Sequence, residues 1–316
     1  MRREVQRSAH LSARSRGPAR VGENAAGESG GDMSPTDETA RVVSRPETLI
    51  WTAPNPGPKT LDGTHAYVVG RDKAYVIDPG PAVPNWTNEL AARVKAAALR
   101  VEAIVLTHGH PDHAPAATEL SQLLRAPVMG SASIESTAGD SVRVDAVLRE
   151  GDALETDGDR LIVIETPGHS PDHLGFWLEG AKVLFSGDTI LGRGTSLVAP
   201  PEGDMQLYMR TLDTLRRLSP LLIAPGHGPI VRDPLTTIDQ YIDHRRARER
   251  QLLTILQRGP ATIRDLVDEM YAGVDRRLHE LARGSVAAQL EKLEREGLVE
   301  RDSSSYRVRP LPPVPE

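Results

Sequence analysis

The chemistry legible in this chain concentrates in Thr107-His108-Gly109-His110-Pro111-Asp112-His113, which follows the apolar run Ile104-Val105-Leu106. Three imidazoles and a carboxylate at the end of a buried strand make a costly surface loop but a natural metal site. Neutral imidazole suits zinc, and its second nitrogen is usually fixed by a neighbouring oxygen. The chain has no cysteine. Thiolate ligands and disulfides are therefore excluded, and any metal must be held by His, Asp, Glu or backbone oxygen.

Three later segments repeat the pattern. Ile164-Glu165-Thr166-Pro167-Gly168 leads to His169, Val183-Leu184-Phe185-Ser186-Gly187 to Asp188, and Ile223-Ala224-Pro225-Gly226 to His227. Each is an apolar strand, a small-residue turn and one ligand-type side chain. Four strand ends of this kind supply enough ligands for two metal ions.

Positioning them requires alternating strands and helices. Strands are expected at 66–69, 74–77, 101–106, 161–164, 182–185 and 221–224, and helices at 88–99, 115–124 and 205–218. That makes residues 47–231 an α/β catalytic domain. A connecting helix follows over 232–257, then a winged-helix-like domain over 258–310, whose last helix is expected from Gly284 to Glu296. Residues 1–40 are polar, arginine-containing and without periodicity, and read as a disordered tail. Met33 stands where composition becomes ordinary, which fits a start there. A net charge of −6 gives no overall attraction to nucleic acid or anionic lipid. No apolar run is long enough to span a bilayer, and the expected location is the cytoplasm.

The set His-x-His-x-Asp-His plus the three later motifs resembles the metallo-beta-lactamase superfamily over about residues 47–231. The resemblance implies a four-layer αββα sandwich with the site at the sheet edges. It implies that His108, His110 and His169 hold one zinc ion, that Asp112, His113 and His227 hold a second, and that Asp188 bridges them. A hydroxide between the two ions would be the nucleophile, with Asp112 orienting it or carrying its proton. Asp78, in Val76-Ile77-Asp78-Pro79-Gly80, matches an early aspartate that supports the ligands from behind. It is equally a turn residue.

A narrower resemblance, to the beta-lactamase-like protein 2 family, rests on Thr166-Pro167-Gly168-His169-Ser170-Pro171-Asp172-His173, on the segment from Phe185 to Thr195, on Tyr208 and on Tyr241–Gln251. That family is implied to be a metal-dependent endoribonuclease acting on single-stranded RNA, with fungal thioesterase relatives. The expected activity is thus a two-zinc phosphodiesterase. The alternatives are a thioester or lactone hydrolase on acyl-CoA or acyl-carrier substrates, and a metabolite-sensing winged-helix regulator. Pro171 and the Pro-rich 198–203 loop depart from the family pattern. His173 reads as a substrate contact or a surface residue, and Thr195 as a phosphate or carbonyl contact or a turn residue. Arg245 with Arg248 reads as a phosphate grip or a solvated helix face. The last helix carries Glu291, Lys292, Glu294, Arg295 and Glu296, too acidic a surface for duplex DNA. The expected partners are a small molecule or single-stranded RNA, with a second copy of the chain possible.

Overall fold

The computed structural model describes residues 40–43, 46–139 and 142–309. The expected tail lies outside the described residues except for Ala40, which is in a strand, and Met33 also lies outside them. The chain forms two sheets and a small three-stranded wing. Sheet one runs in sequence order through β1 (Ala40–Val43), β2 (Thr48–Thr52), β3 (His65–Val69), β4 (Ala74–Ile77), β5 (Val101–Val105), β6 (Val128–Gly130) and β7 (Ala146–Val147). Sheet two contains β8 (Ala153–Thr156), β9 (Asp159–Glu165), β10 (Leu174–Leu178), β11 (Val183–Gly187) and β12 (Leu222–Pro225).

Period-two alternation builds the layers. In β3 and β4, Ala66, Val68, Ala74 and Val76 face a core with Trp86, Leu90 and Val94 of α1 (Trp86–Ala96) and Ala117 and Leu120 of α2 (Ala116–Leu124). Their neighbours Tyr67, Val69, Tyr75 and Ile77 face the other way, into a core shared with Val163, Phe176 and Phe185 of sheet two. The far face of sheet two, through Trp177, Leu184 and Ile223, packs on α4 (Met205–Leu218) and α5 (Pro234–Leu256). Helix, sheet, sheet, helix is the four-layer order expected. A short helix α3 (Ile134–Ala138) caps the first core.

Helix α5 runs on into the winged helix. Its Leu252, Ile255 and Leu256 share a core with α6 (Ile263–Met270), α7 (His279–Arg295), Val299 of β14 (Val299–Asp302) and Tyr306 of β15 (Ser305–Val308). Strand β13 (Ala261–Thr262) completes the wing by pairing with β15. Two sequence expectations need correction. The last helix starts at His279, not Gly284, and Gly284 lies inside it because a Cβ there would come within 2.6 Å of the Ala199 side chain. The expected strands also omit β1, β2, β6, β7, β8 and β10, the last of them wholly buried like the expected β3 and β11.

Candidate metal centre

The four ligand-bearing loops leave strands of both sheets at one edge. The edges are tied together there by Leu174 N donating to Thr107 O at 2.7 Å and His65 N donating to Gly226 O at 2.9 Å. The loops bring seven side chains into two adjoining clusters. In one, His108 Nε2 and His169 Nε2 each lie 2.9 Å from His110 Nδ1. In the other, His113 Nε2 and His227 Nε2 lie 3.2 Å apart, and Asp112 Oδ2 lies 3.1 Å from His227 Nε2. Asp188 stands between the clusters. Its Oδ1 is 3.3 Å from both His113 Nε2 and His227 Nε2, and its Oδ2 is 3.7 Å from His169 Nε2.

The nitrogens turned away from the clusters are each held. Asp78 Oδ2 faces His113 Nδ1 at 2.8 Å, Leu197 O faces His169 Nδ1 at 2.7 Å, and Gly63 O faces His227 Nδ1 at 3.1 Å. Thr107 Oγ1 donates to Asp78 at 2.6 Å, so toward His108 Nδ1, 2.9 Å away, it is an acceptor. These oxygens put the ring protons on the outside and leave lone pairs facing inward, where three imidazole nitrogens crowd one point. Lone pairs that close repel unless a cation lies between them. Asp188 Oδ1 is buried with no hydrogen-bond partner, a costly state for a carboxylate unless a metal completes it. The donor set therefore fits two borderline cations such as zinc.

Charge supports this reading. Burial holds His108 well below the usual imidazole range, so it is neutral, as a ligand must be. In the second cluster burial opposes the charged form of His113, but Asp188, Asp112 and Asp78 outweigh it and push the imidazole well up. Burial raises Asp112, and the neighbouring His113 and His227 overcome that and bring it to about 2. Without a metal, protons take the place of positive charge beside these carboxylates.

The remaining sequence candidates behave differently. Asp78 serves both roles proposed for it: its φ is 49° at the turn, and its carboxylate accepts from Thr107 N at 2.7 Å and Thr107 Oγ1 while holding His113. His173 is not a surface residue. It is buried under His108, its Nε2 accepts the Asp188 amide at 3.1 Å, and its Nδ1 lies 2.7 Å from Thr166 Oγ1. Thus it positions Asp188, and both ring nitrogens are taken by protein. Arg245 is neither a phosphate grip nor a solvated face. It is buried, donates to Ser196 O and lies 5.3 Å from the Tyr208 ring centre. Arg248 lies over Tyr271 at 4.6 Å. Thr195 is exposed on the loop after Asp188.

Glu202 escaped the sequence reading. Its Oε2 lies 2.8 Å from His110 Nε2, the nitrogen of that ring turned away from the cluster. The loop carrying it is braced by the winged helix, through Ala199 against Gly284 and through Asp204 paired with Arg295 at 2.7 Å. Glu202→Ala is expected to weaken metal binding about tenfold, the low end for removing a partner that orients a ligand imidazole. Chelator competition measures it, and an unchanged affinity would remove Glu202 from the centre.

A family model described as the metallo-beta-lactamase superfamily matches residues 60–227. A second, described as the beta-lactamase associated winged helix domain, matches residues 262–307. The chain is 32% identical over 250 residues to the Beta-lactamase-like protein 2 homolog of Caenorhabditis elegans, covering 78% of this chain and 83% of that one. It is 29% identical over 254 residues to an atrochrysone carboxyl ACP thioesterase of Aspergillus chevalieri, covering 78% and 79%. Its fold is shared by a beta-lactamase domain protein from Burkholderia ambifaria, with TM-score 0.75, 21% identity and coverage of 87% and 96%.

Proposed function

The chain belongs to the metallo-beta-lactamase superfamily, and from that premise we propose that it is a two-zinc hydrolase that cuts phosphodiester bonds of single-stranded RNA. The observation that carries the two-ion reading is Asp188, which turns one oxygen to each cluster. His108, His110 and His169 would hold one zinc ion, and Asp112, His113 and His227 the other. When bound, the pair supplies Lewis acidity that brings water toward hydroxide at neutral pH and stabilises oxyanion charge. His173 fixes the Asp188 backbone, and Asp78 fixes the His113 ring. Asp112 is about a quarter exposed while the histidines beside it are fully buried. Its carboxylate is thus the group of the second cluster open to a substrate, placed to accept the water's proton and return it to the leaving oxygen.

A thioester substrate is the second reading, favoured by the fungal relative named as an ACP thioesterase. The cleft beside the His227 loop carries Arg193 and Arg232, which suits phosphate better than an acyl chain. A DNA-reading winged helix is disfavoured, because α7 faces inward: Lys292 is paired at 2.8 Å with both Glu249 and Glu296, and Gln289 donates to Arg245 O. No described helix is long and apolar enough to cross a membrane. The test is a panel of single-stranded oligoribonucleotides, acyl-CoA thioesters and lactones on metal-analysed protein, with His227→Ala as control. Stoichiometric zinc without RNA cleavage would end the phosphodiesterase reading, and turnover of a thioester would replace it.

Zinc loading should also release protons. Burial lowers His227, but the adjacent Asp112 and Asp188 carboxylates overcome it and raise the imidazole to about 9. At pH 7 the metal-free ring carries a proton that zinc must displace, so apparent affinity falls as pH drops below about 9. Calorimetry at pH 7 in buffers of different ionisation enthalpy should report at least one proton released per chain. A count of zero would mean the cluster is already deprotonated.

A further inference from the structure

A cleft of about 420 Å³ lies behind the loop that follows Asp188. Its lining includes Arg193 and Thr195 from that loop, Arg232, and Gln240, Tyr241 and His244 from the first turns of α5. Its floor is one backbone away from the metal centre: Gly192 N donates to His227 O at 2.9 Å, and Leu191 N donates to the Tyr241 hydroxyl at 2.9 Å.

Two features mark it as more than a dent. The first is an excess of positive charge in the lining, two arginines against one carboxylate. Arg232 makes no ion pair among the described residues, and Arg193 meets only Asp62, at 3.8 Å with both side chains well exposed. The one carboxylate in the lining, Asp233, is already an acceptor for Thr236 N at the start of α5. The second is an orphaned polar atom. His244 Nδ1 is buried without a hydrogen-bond partner, a state that native proteins usually relieve with a ligand or an ordered water. Burial, Arg245 and Arg248 all keep this ring neutral, so it can still donate one hydrogen bond and accept another.

We propose that this cleft binds a phosphate group of the substrate remote from the bond that is cut, gripped by Arg193 and Arg232 with Thr195, Gln240 and His244 as neutral donors. The inference rests on the hydrolase reading and deepens it: the substrate must carry at least one further phosphate beyond the scissile position. A second phosphate along an RNA strand has this chemistry, and so do the phosphates of a coenzyme A arm.

The experiment compares zinc-loaded, full-length protein with its Arg193→Ala/Arg232→Ala double variant. Both arginines are exposed, so zinc content and melting temperature should match wild type. Fluorescence anisotropy follows a short phosphorothioate-linked oligoribonucleotide in one arm, and competition by coenzyme A forms the other. The double variant should bind the oligonucleotide at least about tenfold more weakly. The slope of log affinity against log salt should flatten by about 1.4, the value for two single-strand phosphate contacts. On cleavable RNA its KM should rise while kcat holds. Equal affinity and slope in the two proteins would overturn the cleft while leaving wild-type RNA cleavage, and so the function, untouched. Arginine-dependent binding of coenzyme A alone, without RNA cleavage, would keep the cleft and overturn the RNA reading. Wild-type protein that binds neither probe at low salt would overturn the inference.

Discussion

Asp188→Ala is expected to lower hydrolysis by about 10³-fold, the upper scale for removing one preorganised electrostatic partner from a buried site, and, at the proposed two-zinc centre, to lower the bound metal toward one ion or none. Among the described carboxylates, that of Asp188 is the one within 4 Å of cluster-facing nitrogens of both groups. The first cluster otherwise contains only imidazoles, so Asp188 supplies the negative charge that a dication there would meet. The second would keep Asp112 alone as its anion. The loop itself should stay in place, because His173 holds the Asp188 backbone amide and not its side chain. Circular dichroism should therefore match wild type while metal analysis and kcat/KM fall together. Asp188→Asn keeps the shape but is neutral and leaves a single oxygen able to ligate, its NH2 being a donor only, and it should lose most of the same activity. If Asp188→Ala kept two zinc ions and near-normal turnover, the bridging reading would be wrong and the two clusters would be independent sites.

The clustering of the seven candidate ligands was open to the sequence because each follows its strand within a few residues, and strands at one edge must deliver their ends to one place. The αββα layers came only through the family resemblance that those same motifs carry, because β3 and β4 are wholly buried and their division between two cores appears only in the fold. What the sequence hid depends on partners far along the chain. Glu202 sits in a Pro-rich loop with no local pattern, and its meaning comes from His110, 92 positions away. Arg245 looks like a surface cation on a helix of mixed charge. Only packing against Tyr208 and the Ser196 carbonyl turns it inward. His173 shows the same limit, since its burial under His108 is invisible until β9 and β10 are folded into a hairpin. Gly284 misled for the opposite reason: glycine ordinarily marks a helix boundary, whereas here it makes room for Ala199.

The turn before His169 is where fold and site are most tightly bound, and Gly168→Ala should expose it. Gly168 has φ of 134°, a region that costs other residues about 1–3 kcal/mol. A Cβ there would lie 2.4 Å from both Tyr208 N and Tyr208 Cα. Those are backbone atoms of α4, so no side-chain rotation relieves the clash, and overpacking of this kind adds about 1–3 kcal/mol. The helix cannot simply slide away. Asp204 N donates to Gly168 O at 2.9 Å, Thr211 Oγ1 donates to Pro167 O at 2.7 Å, and the Tyr208 hydroxyl donates to Thr189 O at 2.6 Å. The variant should lose about 3–5 kcal/mol, on the order of 10 °C in melting temperature for a chain of this size. Zinc affinity should fall with it, because His169 is the next residue. Gly151→Ala is the matched control: its φ is 82° but nothing lies within 4 Å of its added Cβ, so it pays only the backbone strain, about 1 kcal/mol. Equal losses in the two variants would mean that backbone conformation alone, and not the approach of α4, makes glycine necessary before His169.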